Sequence, residues 1–228
     1  MTPHRVDEAT EKMLGKSGMS VRERRSTVEQ ITPEILERIP ADVLRACEAG
    51  ERPSGFGLIG PVGVGKSGAV AALMMRTVRQ RIASGQVQTE YVSRETGGYI
   101  KPPVLLRWCS WPETVNDFRV IAGQSEGMQQ VEDMARRLSR AWLLVIDDLG
   151  AERIRTGYDD DWATSLLDLV IDRRYTNCDP VWYTSSLTRA ELVQKYGRRM
   201  FERLGMDNPW IEIEGVKSRR QIAWRAAS

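Results

Sequence analysis

Eight consecutive residues carry the most specific chemistry in this chain. Gly60-Pro61-Val62-Gly63-Val64-Gly65-Lys66-Ser67 has the spacing GxxxxGK[ST]. Its glycines let backbone N–H groups converge on phosphate oxygens without side chains in the way. A helix starting at Lys66 adds the positive end of its dipole. The Lys66 ammonium then reaches the β- and γ-phosphates of a nucleoside triphosphate, and the Ser67 hydroxyl ligates Mg²⁺. Chance places this pattern in well under about 1% of chains of this length.

A second group of residues answers the first. Leu143-Leu144-Val145-Ile146 is an uninterrupted apolar run, and Asp147-Asp148 follows it directly. Such a run fits a central parallel strand buried on both faces, and ligands bind at the carboxyl ends of such strands. Asp147 is placed to hold the hydration shell of the Mg²⁺, and Asp148 to polarise the attacking water.

Those residues need a scaffold of strands ending, and helices beginning, at one edge. The chain supplies it in alternation. Strands are expected within residues 54–60, 102–109, 141–150, 179–186, 210–215 and 221–226. Helices are expected from Lys66 to a stop at Gly85, then over 111–122, 126–140, 161–175 and 188–196. Gly97-Gly98 looks like the tip of a hairpin within 86–101. Ser110 with Glu113, and Thr188 with Glu191, have capping-box spacing, and Thr32-Pro33 has the form of an N-cap followed by a first-turn proline. Pro40 should divide the helical segment that starts there. The alternation implies an α/β fold with a mainly parallel sheet. Residues 1–53 read as an N-terminal arm, partly flexible, with little core of its own. Residues 54–228 read as the nucleotide-binding domain.

Composition narrows the functions further. The 228 residues include 33 Lys plus Arg and 31 Asp plus Glu, a net charge of +2, so nucleic-acid contact would come from local patches. The single histidine, His4, leaves no basis for His-ligated metal sites or a Ser/His nucleophile. Three widely spaced cysteines, Cys47, Cys109 and Cys178, form no CxxC pair. With no signal-like or membrane-length apolar stretch, they point to a reducing, cytoplasmic setting.

Taken in order, GPVGVGKS, LLVIDDLGAE, Asp172-Arg173-Arg174-Tyr175, VWYTSSL, YGRRMFERL and WIEIEGVKSRR resemble the AAA+ ATPases of the DnaC/IstB type. These are replicative-helicase loaders and transposase-helper ATPases, and the resemblance runs from about residue 54 to about 221. It implies a P-loop AAA+ core with a five-stranded sheet, a reduced C-terminal lid and a short helical N-terminal arm, binding ATP and Mg²⁺. It implies that Ser186 stands at the sensor 1 position, where the family usually has Asn. Arg203 would be the arginine finger reaching a neighbouring subunit's nucleotide, and Arg220, or the adjacent Arg219, would be sensor 2. The helices over about 111–140 resemble an insertion lining a single-strand DNA channel, which makes Arg119, Arg136, Arg137 and Arg140 candidates for DNA contact. Trp108, within an apolar strand, reads as core.

The leading expectation is an ATP-dependent replication factor. It would load the replicative helicase onto single-stranded DNA as an oligomer, with the arm gripping the helicase and no role at a membrane. A transposition helper acting on duplex DNA is the alternative client. A small-molecule kinase closing over its substrate with Arg153 and Arg155 is a further reading. So is a scaffold that binds ATP but barely hydrolyses it, given Asp148 and Ser186.

Overall fold

The computed structural model describes residues 3–86, 91–92, 99–100, 106–124, 127–152, 159–206 and 209–216. In chain order the elements are α1 (Pro3–Leu14), α2 (Pro33–Leu36), α3 (Ala41–Ala49), β1 (Phe56–Ile59), α4 (Lys66–Ala83), β2 (Tyr91–Val92), β3 (Tyr99–Ile100), β4 (Leu106–Ser110), α5 (Trp111–Ala122), α6 (Gly127–Ser139), β5 (Leu143–Asp147), α7 (Asp159–Thr176), β6 (Val181–Ser185), α8 (Arg189–Tyr196), α9 (Arg198–Met206) and β7 (Trp210–Glu212). Two short 3-10 turns, Glu23–Arg25 and Val28–Gln30, precede α2.

Five strands form one sheet in the order β4-β5-β6-β1-β7, and all four pairings between neighbours in it are parallel among the described residues. β2 and β3 make a separate antiparallel pair, Tyr91 opposite Ile100, which agrees with the expected hairpin; its tip lies outside the described residues. The expected strand over 221–226 also lies outside them.

Side-chain alternation along the strands builds two cores. Leu143, Val145 and Trp182 face α3 and α4 on one side. Leu144, Ile146 and Tyr183 face α5 to α9 on the other. Gly57 on β1 is where the second core comes closest to the backbone. A Cβ there would sit 2.0 Å from the Tyr183 ring, so only glycine admits that ring over the sheet.

The N-terminal segment departs from the flexible arm with little core. Val6, Leu14, Met19, Ile31, Ile35, Ile39 and Val43 are buried in the same core as α4 and β1. Val6, Thr10 and Leu14 form one helical face of α1, but Thr10 interrupts the apolar pattern. Its hydroxyl is satisfied within the helix, donating to the Val6 carbonyl at 2.6 Å, so it can be buried without penalty.

Pro40 does divide the segment, into α2 and α3, and Gly50 at φ +69° closes α3. Thr188 and Glu191 form the expected capping box. Ser110 does not: it ends β4, no cap hydrogen bond comes from its side chain, and α5 starts on Trp111-Pro112 instead. Thr32 likewise makes no cap hydrogen bond, although Pro33 does stand in the first turn of α2.

Candidate nucleotide-binding site

The loop between β1 and α4 turns through left-handed backbone at Gly63 (φ +86°) and Gly65 (φ +108°). Gly65 is the N-cap of α4, in a conformation that a side chain would oppose, and the helix begins on Lys66. Within the loop Val64 is fully buried and anchors it to the core, while Val62 is exposed at its tip. Pro61 is exposed and Gly60 half-buried. The Lys66 ammonium is 6% exposed and donates to the carbonyls of Gly60 (2.7 Å) and Pro61 (2.8 Å). Burial lowers its pKa, and the carboxylates of Asp148 and Asp147 oppose that shift.

Strand order sets the rest of the site. β6 lies between β1 and β5, so its end stands between the phosphate loop and the acids. Thr184 is fully buried there. Its hydroxyl donates to Asp147 Oδ1 at 2.6 Å and accepts the Asp148 N–H at 3.0 Å. Ser185 lends its carbonyl to the Gly60 N–H (3.1 Å), and its hydroxyl donates to the Leu149 carbonyl (2.6 Å). Thr184 and Ser185 therefore fasten both halves of the site. Sequence reasoning passed them over in favour of Ser186, which is half-buried just past the strand. The available signal was their place at the end of an apolar strand preceding a capping box.

Asp147 is buried, and its carboxyl is pushed up to about 6, chiefly by loss of water. Hydrogen bonds from Thr184 and Ser67 work the other way. The neighbouring charges of Asp148 and Glu23 raise it further. Ser67 and Asp147 are thus side by side. Glu23, from the N-terminal segment, was not foreseen near the site. Asp148 points out: it is exposed, at φ +54°, a left-handed conformation that Asp tolerates better than most residues. A single peptide bond separates a buried carboxylate from an exposed one.

The donor set fits Mg²⁺ on a bound triphosphate. Ser67 and Asp147 offer two hard oxygen ligands, and among the described residues Lys66 is the cation whose charge couples to the buried carboxylate. Mg²⁺ normally takes one or two carboxylate or hydroxyl ligands and completes its shell with phosphate and water. Among the described residues no three His, Cys, Asp or Glu side chains gather into an all-protein metal site.

The loop after the acids is held by α8. Lys195 donates to the Gly150 carbonyl (2.8 Å) and pairs with Glu152 at 2.9 Å. The Tyr196 hydroxyl donates to the same carboxylate at 2.6 Å. Arg203, on α9, is half-buried and pairs with Asp172 on α7, and its guanidinium lies 5.7 Å from the Tyr175 ring centre. Arg219, Arg220, Arg153 and Arg155 lie outside the described residues.

The four candidate DNA-contact arginines do not form one group. Arg119 is in the last turn of α5 and half-buried. Arg136 and Arg140 line a cavity at the end of α6. Arg137 is exposed near Arg107 of β4. Trp108 is buried, as expected.

No family model matches this sequence, and no curated protein does. Solved structures do. The crystal structure of the DnaC helicase loader superposes with a TM-score of 0.59 at 17% identity, over 86% of this chain and 100% of that one. DnaI gives 0.60 at 20% identity, over 89% and 94%. AMPPCP-bound DnaA from Aquifex aeolicus gives 0.53 at 16% identity, over 90% of this chain and 55% of that one. At these identities the likeness is one of fold. The fold is the one seen in the DnaC and DnaI structures, an α/β core with a parallel sheet of five strands. No described helix is long and apolar enough to cross a membrane.

Proposed function

We propose that this protein is an ATP-dependent replication factor that loads the replicative DNA helicase onto single-stranded DNA, hydrolysing ATP between subunits of an oligomer. The observation that carries the nucleotide part is the convergence of the phosphate loop with Ser67, Asp147 and Thr184. The client is inferred from the fold shared with DnaC and DnaI, each of which this chain covers almost completely.

On this reading the loop's backbone N–H groups and the start of α4 hold the triphosphate. Lys66 turns from the Gly60 and Pro61 carbonyls to the β- and γ-phosphates. Ser67 and Asp147 hold Mg²⁺, which neutralises charge developing on the transferred phosphoryl group. Thr184 keeps the Asp147 carboxylate aimed. Asp148, exposed beside it, orients the attacking water. Ser186 takes the sensor 1 role, Arg220 or Arg219 that of sensor 2, and Arg203 of a neighbouring subunit completes the site. Arg119, Arg136, Arg137 and Arg140 contact DNA, and the N-terminal segment is where the helicase docks.

Three experiments test this. Lys66→Ala should abolish ATP binding or turnover, read by calorimetry and steady-state phosphate release. Pull-down with the replicative helicase in ATP should retain it, and single strands should bind more tightly than duplex. Strong duplex preference with no helicase capture would transfer the motor to transposition.

A further inference from the structure

Opposite the nucleotide edge, where the parallel strands begin, two helices end side by side. α6 stops at Ser139 just before β5, and α7 stops at Thr176 just before β6. β5 alone spans about 17 Å at ~3.3 Å per residue, so this edge is well separated from the phosphate loop. Arg136, Ser139 and Arg140 from one helix end, and Arg173 and Asn177 from the other, line a cavity of about 290 Å³.

Charge there is not balanced. Glu132 lies 3.2 Å from Arg136 and 4.0 Å from Arg173, and it is the one carboxylate paired with the lining arginines among the described residues. Two of the three lining guanidinium groups thus share a single acid, and Arg140 brings a third positive charge with no carboxylate paired to it among the described residues. Arg173 Nη1 is buried and meets no acceptor among the described residues. An unpaired buried donor of this kind costs free energy that an arriving acceptor would recover. Arg137 adds positive charge on the flank, close enough to Arg107 to reinforce the lowering of its pKa by burial.

Arginines often end helices merely to complement the dipole. Here that task already belongs to another residue. Arg174, fully buried, donates to the carbonyls of Leu138 (3.2 Å), Ser139 (3.0 Å), Ala141 (2.8 Å) and Pro180 (2.5 Å). Of the three outer arginines, Arg136 and Arg173 share Glu132 and Arg140 has no ion pair among the described residues.

We propose that this cavity binds a phosphate group of a DNA strand, as a second phosphate site at the sheet edge remote from the nucleotide. A carboxylate is planar and matched by one guanidinium fork. A phosphodiester presents oxygens in several directions, suiting arginines that converge from two helices with the Asn177 amide beside them. The inference deepens the single-strand reading above and rests on it only for the source of the phosphate. It adds Arg173 and Asn177 to the contacts and leaves Arg119 out of this site.

The test uses the full chain and a fluorescein-labelled oligothymidylate, with anisotropy read across a salt series. Arg173→Gln and Arg140→Gln should each weaken binding about 5- to 10-fold and flatten the log–log salt slope by about 0.7, the single-strand value for one phosphate. Nucleotide affinity should stay at the wild-type value, which separates failure of this site from failure of the ATPase reading. Arg140 is exposed, so its variant tests the cavity even if Arg173→Gln misfolds. Unchanged affinity and slope in Arg140→Gln overturn the site. If wild-type protein ignores the oligonucleotide but binds inorganic pyrophosphate in an Arg140-dependent way, the DNA source is overturned and the phosphate chemistry stands. If it binds neither, the cavity is a solvated helix end or faces a protein partner, and the proposal falls.

Discussion

Asp147 concentrates the conflict on which the site depends. On the proposed reading its carboxylate must be charged to hold Mg²⁺, yet the fold takes it out of water, and its pKa rises from an ordinary 3.8 to about 6. Keeping it ionised at neutral pH costs about 3 kcal/mol at about 1.4 kcal/mol per pH unit. The sign follows by linkage. Between about pH 4 and 6 the folded protein holds more protons than the unfolded chain, so this group's contribution to stability falls as pH rises through that window and is flat above it. Asp147→Asn should therefore raise the stability of the nucleotide-free protein at pH 7.5, by about 1–3 kcal/mol in urea denaturation, while abolishing Mg²⁺-dependent turnover. In the wild type, Mg²⁺-dependent ATP affinity should drop below about pH 6, and Asp147→Asn should remove the Mg²⁺-dependent part of that step. A variant that is destabilised at pH 7.5 would show that the buried charge is not the dominant cost at this position.

At the scale of elements, Arg174 joins what the strands alone cannot. Its guanidinium collects carbonyls from the end of α6, the approach to β5 and the approach to β6, with no exposure to solvent. Burial lowers its pKa to about 10, which leaves it charged at any physiological pH. A buried cation satisfied by backbone oxygens is costly to remove, because several carbonyls lose their donor at once. Arg174→Ala should lower stability by about 3–5 kcal/mol in denaturant titration. Arg174→Lys should recover only part of this, since a point charge cannot span the same carbonyls. The loss should appear before any change in nucleotide affinity per folded molecule. The same reasoning explains the fixed loop after Asp148: Lys195 and Tyr196 of α8 grip Glu152 and Gly150 from across the connection.

At the scale of the whole molecule, Arg203 bears on assembly. In the single chain it pairs with Asp172, beside Tyr175. Under the proposed finger role, serving a neighbour's nucleotide would require that pair to open, and hydrolysis would then depend on contact between subunits. Arg203→Ala should leave ATP binding within about twofold and reduce turnover by a factor on the order of 10³. Mixing Arg203→Ala with Lys66→Ala subunits should restore activity, because each supplies what the other lacks. Normal hydrolysis by Arg203→Ala as an isolated monomer would refute a shared site.

The parts of this protein that are legible in sequence are those that local chemistry dictates. GPVGVGKS needs its glycines within eight residues, and an apolar run ending in two acids declares a buried strand and its mouth without knowledge of any neighbour. Helix ends at Gly50, Pro40 and Thr188 are local for the same reason. What only the tertiary structure decides is non-local pairing. The order β4-β5-β6-β1-β7 puts Thr184 and Ser185 between two motifs far from them in sequence. It also brings Glu23 toward Asp147, and Arg173 toward Arg136 and Arg140. The N-terminal segment follows the same rule: its sparse apolar residues look insufficient alone, and they become core because α4 supplies the other side.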